Sequence, residues 1–327
     1  MTHGRTRLVT ALSGLALAAV IGVVPSTTAQ AEPDIADVQE QVDALFHEAE
    51  EASERVQDAK LQLAELQGDL RTLRADQARQ DETLDAAREQ VQDSILSQYQ
   101  GQGLSAVGEV VVSDNPTQFL AGMSTMSAYN RLQSHRFDTY ATEVKALDIR
   151  SDATADRTAE VDATKAGLVK DQAAIDARLE KAESLLAELE SEEREALLMR
   201  GSTAVPSTVE ASGRAAAAVA YAMAQVGDSY VFGAAGPDAF DCSGLTMMAW
   251  GASGVGLSHS SSAQYASGTK VAAGDLRPGD LVFYYSPISH VGMYIGNGLI
   301  VNALNPGADV AVSPLYSMPY VGAVRPG

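Results

Sequence analysis

Phe240-Asp241-Cys242-Ser243-Gly244-Leu245-Thr246-Met247-Met248-Ala249-Trp250 is the stretch on which the reading of this chain turns. Residues 228–244 are dense in Gly, Asp and aromatics, so a loop delivers Asp241 to the head of a run with helical spacing at Leu245, Met248 and Ala249. Asp241 is placed to cap that helix. Cys242 then falls in the first turn, where the positive end of the helix dipole favours a thiolate. The small Ser243 and Gly244 leave room for a substrate beside the sulfur. Cys242 is the single cysteine of the 327 residues, so the chain holds no internal disulfide. A lone thiol is either a small buried hydrophobe or a group with a task, and these neighbours favour the task.

A thiolate nucleophile wants an imidazole partner. Downstream stand His259, in the polar run Leu257-Ser258-His259-Ser260-Ser261-Ser262, and His290, which opens His290-Val291-Gly292-Met293-Tyr294-Ile295-Gly296. The second run reads as a strand, and a strand fixes a base more firmly than a loop. A third group should orient the ring. Asn302, in Ile300-Val301-Asn302-Ala303, is the candidate if the Gly296-Asn297-Gly298 turn has the right register. A two-residue loop would pair 296 with 299 and turn Asn302 away from His290. A bulged three-residue loop would pair 295 with 299 and set 292 opposite 302, beside His290.

Outward from these runs, Arg214 to Val226 reads as a helix, and Leu281 to Tyr285, His290 to Ile295 and Leu299 to Ala303 as strands. Helices followed by antiparallel strands indicate an α+β domain, residues 214–327.

Four segments carry a resemblance: Tyr230-Val231-Phe232-Gly233, Phe240-Asp241-Cys242-Ser243-Gly244-Leu245, Leu276-Arg277-Pro278-Gly279-Asp280-Leu281-Val282-Phe283 and His290-Val291-Gly292-Met293-Tyr294-Ile295-Gly296. In order and spacing they resemble the NlpC/p60 peptidoglycan endopeptidases. The resemblance implies a papain-like fold with Cys242 as nucleophile, His290 as base and Asn302 as the orienting group. It also implies that the Tyr230 hydroxyl helps bind substrate or the oxyanion; Asp241, Ser243 and Ser262 are the further candidates for such contacts. Members cleave wall stem peptides, commonly between γ-D-glutamyl and the diamino acid. The sequence departs from the pattern at Phe232-Gly233-Ala234, at His259 where many members carry Arg, and at Asn302 where His is commoner. Alternatives are an inactive wall-binding scaffold and a related thiol amidase.

The other half of the chain is different. From Val38 to Val91 apolar residues recur at alternating steps of four and three, through Val42, Leu45, Ala49, Ala52, Val56, Leu63, Leu66, Leu70, Leu84 and Ala87, with Gln77 and Gln80 as the breaks. That is a coiled-coil seam. A weaker seam from Phe137 to Met199 predicts a second helix and an antiparallel hairpin over residues 32–200. Its tip, Gly101 to Asn130, reads as a small lobe, and Gly201 to Gly213 as a flexible exposed linker. Residues 32–200 hold 36 acidic and 17 basic side chains, against 7 and 4 in 201–327, so charge density breaks at the same place. At a net charge of -20 with no basic stripe, nucleic acid is an improbable partner. Residues 1–31 read as a signal peptide, with Arg5 and Arg7, an apolar run from Leu8 to Val24, and Ala29-Gln30-Ala31 for cleavage. That implies a protein secreted to a bacterial wall or periplasm-like space, without stable membrane insertion afterwards. The whole plan is similar to the Rip-type wall hydrolases of actinobacteria, which implies peptidoglycan as substrate, a role at cell division, and docking of the coiled coil on an FtsEX-type complex. The few His and one Cys lack metal-ligand spacing, so neither metal nor cofactor is expected. A flexible linker would let the hairpin fold back over Cys242 and hold the enzyme latent, with release at the tip; the alternative is a coiled coil that only localises the enzyme.

Overall fold

The computed structural model describes residues 35–100 and 116–327. The expected signal peptide and the first part of the tip, residues 101–115, lie outside them. Helix α1, Ile35–Tyr99, and helix α2, Pro116–Leu186, pack against each other along the seam. At 1.5 Å per residue α1 is roughly 100 Å long. Val42, Ala49 and Ala52 are sealed from solvent, and Val38, Leu45, Leu66, Leu70, Leu84 and Val91 are buried with them. Gln80 is buried too, and its amide donates to the Glu143 carbonyl oxygen at 3.2 Å, so this break in the seam is bonded across the hairpin.

Three expectations change here. The second helix begins at Pro116, not Phe137, because 116–130 simply continues its spacing. Phe119, Leu120 and Met123 are therefore exposed on a helix face, with no small core around them among the described residues. The helix also stops at Leu186; a tight turn leads to α3, Ser191–Leu198, which is closed by a capping box between Glu190 and Glu193. The Arg194 guanidinium donates to the carbonyls of Leu186 and Leu189 at 2.8 and 3.2 Å, tying down the orphan end of α2.

The segment after α3 is less free than its composition suggests. The Thr203 amide donates to the Val312 carbonyl at 2.7 Å, adding a bridge to the sheet edge, and Val209 and Ala211 pack on the domain core. Helix α4, Gly213–Ala224, follows, then a short parallel pair, β1 Ser229–Tyr230 and β2 Ala239–Phe240. Helix α5, Cys242–Ala252, and helix α6, Ser261–Ser267, precede six strands: β3 Thr269–Val271, β4 Leu281–Tyr284, β5 His290–Gly296, β6 Leu299–Ala303, β7 Val310–Pro314 and β8 Tyr320–Arg325. The six form an antiparallel sheet in the order β3-β8-β4-β5-β6-β7. The domain is α+β.

Alternation along the strands sets the layers. Leu281, Phe283, Val291, Met293, Val301 and Ala303 join α4 and α5 in one core, while Val282, Tyr284 and Ile300 join Leu315 and Ala323 in another. His290 and Asn302 fall on the alternate parity to Val291 and Val301. Asp280 is buried and accepts from the Arg325 Nε and Nη2 at 2.7 Å each and from the Arg277 amide at 2.7 Å, which ties the head of β4 to the end of β8.

Candidate active site

Asp241 is the cap of α5. Its Oδ1 accepts from the Gly244 amide at 2.6 Å and its Oδ2 from the Gly233 amide at 2.8 Å. The His259 Nε2 lies 2.9 and 3.0 Å from the two oxygens. Asp241 thus locks the 228–244 loop to the helix start, and His259 is engaged with it rather than with the sulfur. Ser243 is fully buried, and its hydroxyl donates to Asp241 Oδ1 at 3.3 Å. Gly244 is required for close packing: a Cβ there would stand 2.2 Å from the Ala234 carbonyl oxygen. Gly244 thus seats the loop against the helix start.

Cys242 begins α5 and is buried. Its sulfur lies 3.7 Å from the Ser261 hydroxyl and 3.8 Å from the Ser289 carbonyl oxygen. A ring nitrogen of His290 is within 4.8 Å of it. Asn302 stands 3.0 Å from the His290 Nε2 through its amide nitrogen, leaving its buried Oδ1 without a partner. Turning that amide end for end lets Oδ1 accept from Nε2–H, which gives both groups a partner.

The register that achieves this differs slightly from the expected one. Met293 pairs with Val301, so 292 stands opposite 302, but Gly296 still pairs with Leu299. The extra residue sits at Ile295, inside the strand, and Asn297 takes a positive φ of 53° in a two-residue turn. Gly292 belongs to the same fit, since a Cβ there would meet Ile300 Cδ1 at 2.8 Å and Asn302 Cβ at 3.3 Å. Tyr230 is buried beside Phe232, their rings 5.0 Å apart and nearly perpendicular.

Helix α1 lies across this group. Glu50 places Oε1 2.5 Å from the His290 Nδ1. One turn on, Glu54 accepts from the Ser261 amide at 2.6 Å and the Ser261 hydroxyl at 3.0 Å, with Oε1 4.0 Å from the sulfur. Another turn on, Asp58 accepts from the hydroxyls of Ser260 at 2.5 Å and Ser262 at 2.9 Å. Ser262 therefore faces the coiled coil. Around the contact, His47 stacks on Tyr285 at 4.1 Å and Phe232 packs on the Ala49–Val56 stretch. A cavity of about 430 Å³ remains beside it, lined by Glu50, Tyr230, Phe232, Tyr285 and His290 among others.

Electrostatics follow from this cover. Burial, then the Glu50, Glu54 and Asp241 charges, push the Cys242 thiol well above its ordinary range. A helix N-terminus favours a thiolate by about 1 kcal/mol. Full burial beside like charges opposes this more strongly. Burial, then Asp241, raises the Glu54 carboxyl to about 8. Tyr230 is raised by burial and then by Glu50.

Glu50, Glu54 and Asp58 escaped the sequence reading because they lie some 190–240 residues from the groups they touch. The signal available was a second, polar stripe at helical spacing beside the seam: Glu50, Ser53, Glu54 and Gln57 are all buried.

Residues 227–323 match the NlpC/P60 family. A probable endopeptidase of Corynebacterium glutamicum is 45% identical over 104 residues, 32% of this chain and 50% of that protein. A probable endopeptidase of Mycobacterium tuberculosis is 47% identical over 107 residues, 33% of this chain and 28% of that protein. The solved peptidoglycan hydrolase RipB of M. tuberculosis is 30% identical, with 36% of this chain and 68% of that one aligned at a TM-score of 0.30. The matches cover half or less of the two curated relatives' own length.

Proposed function

We propose, from the premise that residues 227–323 are an NlpC/P60 domain, that this protein is a cysteine endopeptidase acting on peptidoglycan stem peptides. Cys242 attacks the peptide carbonyl. His290 takes the thiol proton and returns it to the leaving amine, and Asn302 holds the ring through Nε2. Water then releases the acyl group from sulfur with His290 again as base. The bond between γ-D-glutamyl and the diamino acid is the one we assign, with Tyr230 beside the reacting carbonyl. The amino-terminal segment reads as an export signal, which places the enzyme in the wall space. The observation that carries the catalytic reading is the convergence of Cys242, His290 and Asn302.

The finer reading concerns α1. Glu50 occupies the base and Glu54 the Ser261 donors beside the sulfur, which supports reading this arrangement as a latent form, shut by the coiled coil. Release requires α1 to leave, and a division complex of the FtsEX type pulling on the hairpin is the partner this plan suggests. The test of function is hydrolysis of a soluble stem tetrapeptide. Cys242→Ala in an opened background should abolish it; a retained rate would remove the nucleophile, and cleavage of an amide outside the stem peptide would favour the thiol amidase.

A further inference from the structure

Among the described residues, the sulfur of Cys242, a ring nitrogen of His290 and a carboxylate oxygen of Glu50 lie within 4.8 Å of one another, and all three residues are buried. We propose that the closed form is a zinc site, with Cys242, His290 and Glu50 as ligands and solvent at the fourth position; this rests on the latent reading above. No sequence spacing announces it, because Glu50 arrives from α1 and completes the trio only while that helix lies across the cleft.

The donor set is the first argument. Thiolate, imidazole and carboxylate together suit Zn²⁺ better than harder cations. Ligands on one tetrahedral zinc stand roughly 3.3–3.7 Å apart. The Nδ1 to Oε1 contact of 2.5 Å must therefore open, which rotation of the Glu50 side chain accomplishes, while the sulfur already lies within 4.8 Å of both other donors. The second argument is charge. The Glu50 carboxylate lies against His290 and the Glu54 Oε1 stands 4.0 Å from the sulfur, while His259 is taken up by Asp241. Burying the Glu50 carboxylate beside a thiolate without a cation is costly, and a divalent ion supplies what is missing. The third is support. A ligating histidine ordinarily gives its other N–H to a fixed acceptor, and the unpartnered Oδ1 of Asn302 fills that role once the amide is turned.

Binding displaces the thiol proton to solvent and forms the Zn–S bond, so the ion would cover the nucleophile and pin α1 at once. The metal acts as a clasp, and chelation loosens the cover without a change of sequence.

Metal-free full-length protein titrated with Co²⁺ tests this. One equivalent should give a near-ultraviolet thiolate-to-cobalt band, and Zn²⁺ should displace it stoichiometrically. Glu50→Gln should weaken Co²⁺ binding at least tenfold, Glu50→His should restore it, and Asp85→Asn, exposed far along α1 from the cleft, should bind as wild type, each variant checked for fold by circular dichroism. Absence of the band, or equal affinity in wild type and Glu50→Gln, overturns the clasp. Stem-peptide hydrolysis that depends on Cys242 in the metal-free, opened Glu50→Ala/Glu54→Ala/Asp58→Ala variant would then leave the proposed function standing, whereas a band in the full chain with no hydrolysis by that opened variant would remove the function alone.

Discussion

At the scale of single residues, the account separates groups that react from groups that seat them. Within the opened enzyme, His290→Ala should lower kcat/KM by roughly 10²–10⁴-fold, the worth of a positioned base. Asn302→Ala should cost less, roughly tenfold, because the base is misdirected but present, and Asn302→His should retain most of the rate; equal losses for Asn302→Ala and His290→Ala would contradict an orienting role. Gly244→Ala belongs to the other class. Its Cβ would collide with the Ala234 carbonyl, so urea unfolding should show a loss of about 1–3 kcal/mol or more, and an unchanged midpoint would refute the packing role. Cys242, His290 and Asn302 were legible in the sequence because a capped helix start and two adjacent strands are local features. The role of Gly244 was not, because the Ala234 carbonyl it packs against lies on a loop ten residues away whose path no periodicity reveals.

At the scale of elements, α1 carries two faces. Its seam was plain from the four-three spacing. Its acidic stripe was hidden, since Glu and Asp on a coiled-coil surface look like a solvated face until a second domain is laid against them. That stripe predicts reactivity. Iodoacetamide should alkylate Cys242 slowly in the full chain, and Glu50→Ala with Glu54→Ala should speed it at least tenfold by uncovering the sulfur and lifting two of the charges that oppose the thiolate. Mass spectrometry of the modified cysteine peptide reads this directly, and equal rates would mean that α1 does not shield the site. The strand pairing taught a smaller lesson of the same kind. The 292–302 register followed from the chemistry, but the bulge sits at Ile295 rather than in the turn, because Asn297 and Gly298 already satisfy a tight loop. Elsewhere the sheet depends on Asp280 and Arg325. Arg325→Leu strands a buried carboxylate and should destabilise the domain by about 2–3 kcal/mol, less than a fully enclosed pair because the guanidinium is one-third exposed; a thermal melt within 1 °C of wild type would contradict it.

At the scale of the whole molecule, a hydrophobic seam, a strapped connector and an acidic stripe converge on one arrangement: an NlpC/P60 domain with α1 of the coiled coil laid against His290 and Ser261. The division into a helical hairpin and an α+β domain was visible as a break in charge density near residue 200. Their mutual placement was not, because it rests on side chains that are distant in sequence and individually unremarkable. The connector also read as free coil, yet Thr203 and Val209 hold it to the sheet and core, which keeps the cover close to the site. The most direct test compares initial rates on one soluble stem tetrapeptide for the full chain, for Glu50→Ala/Glu54→Ala/Asp58→Ala, and for that triple variant carrying Cys242→Ala. The account predicts a triple variant at least tenfold faster than the full chain and no hydrolysis once Cys242 is lost. Equal rates for the first two, or a rate that survives loss of Cys242, would contradict it.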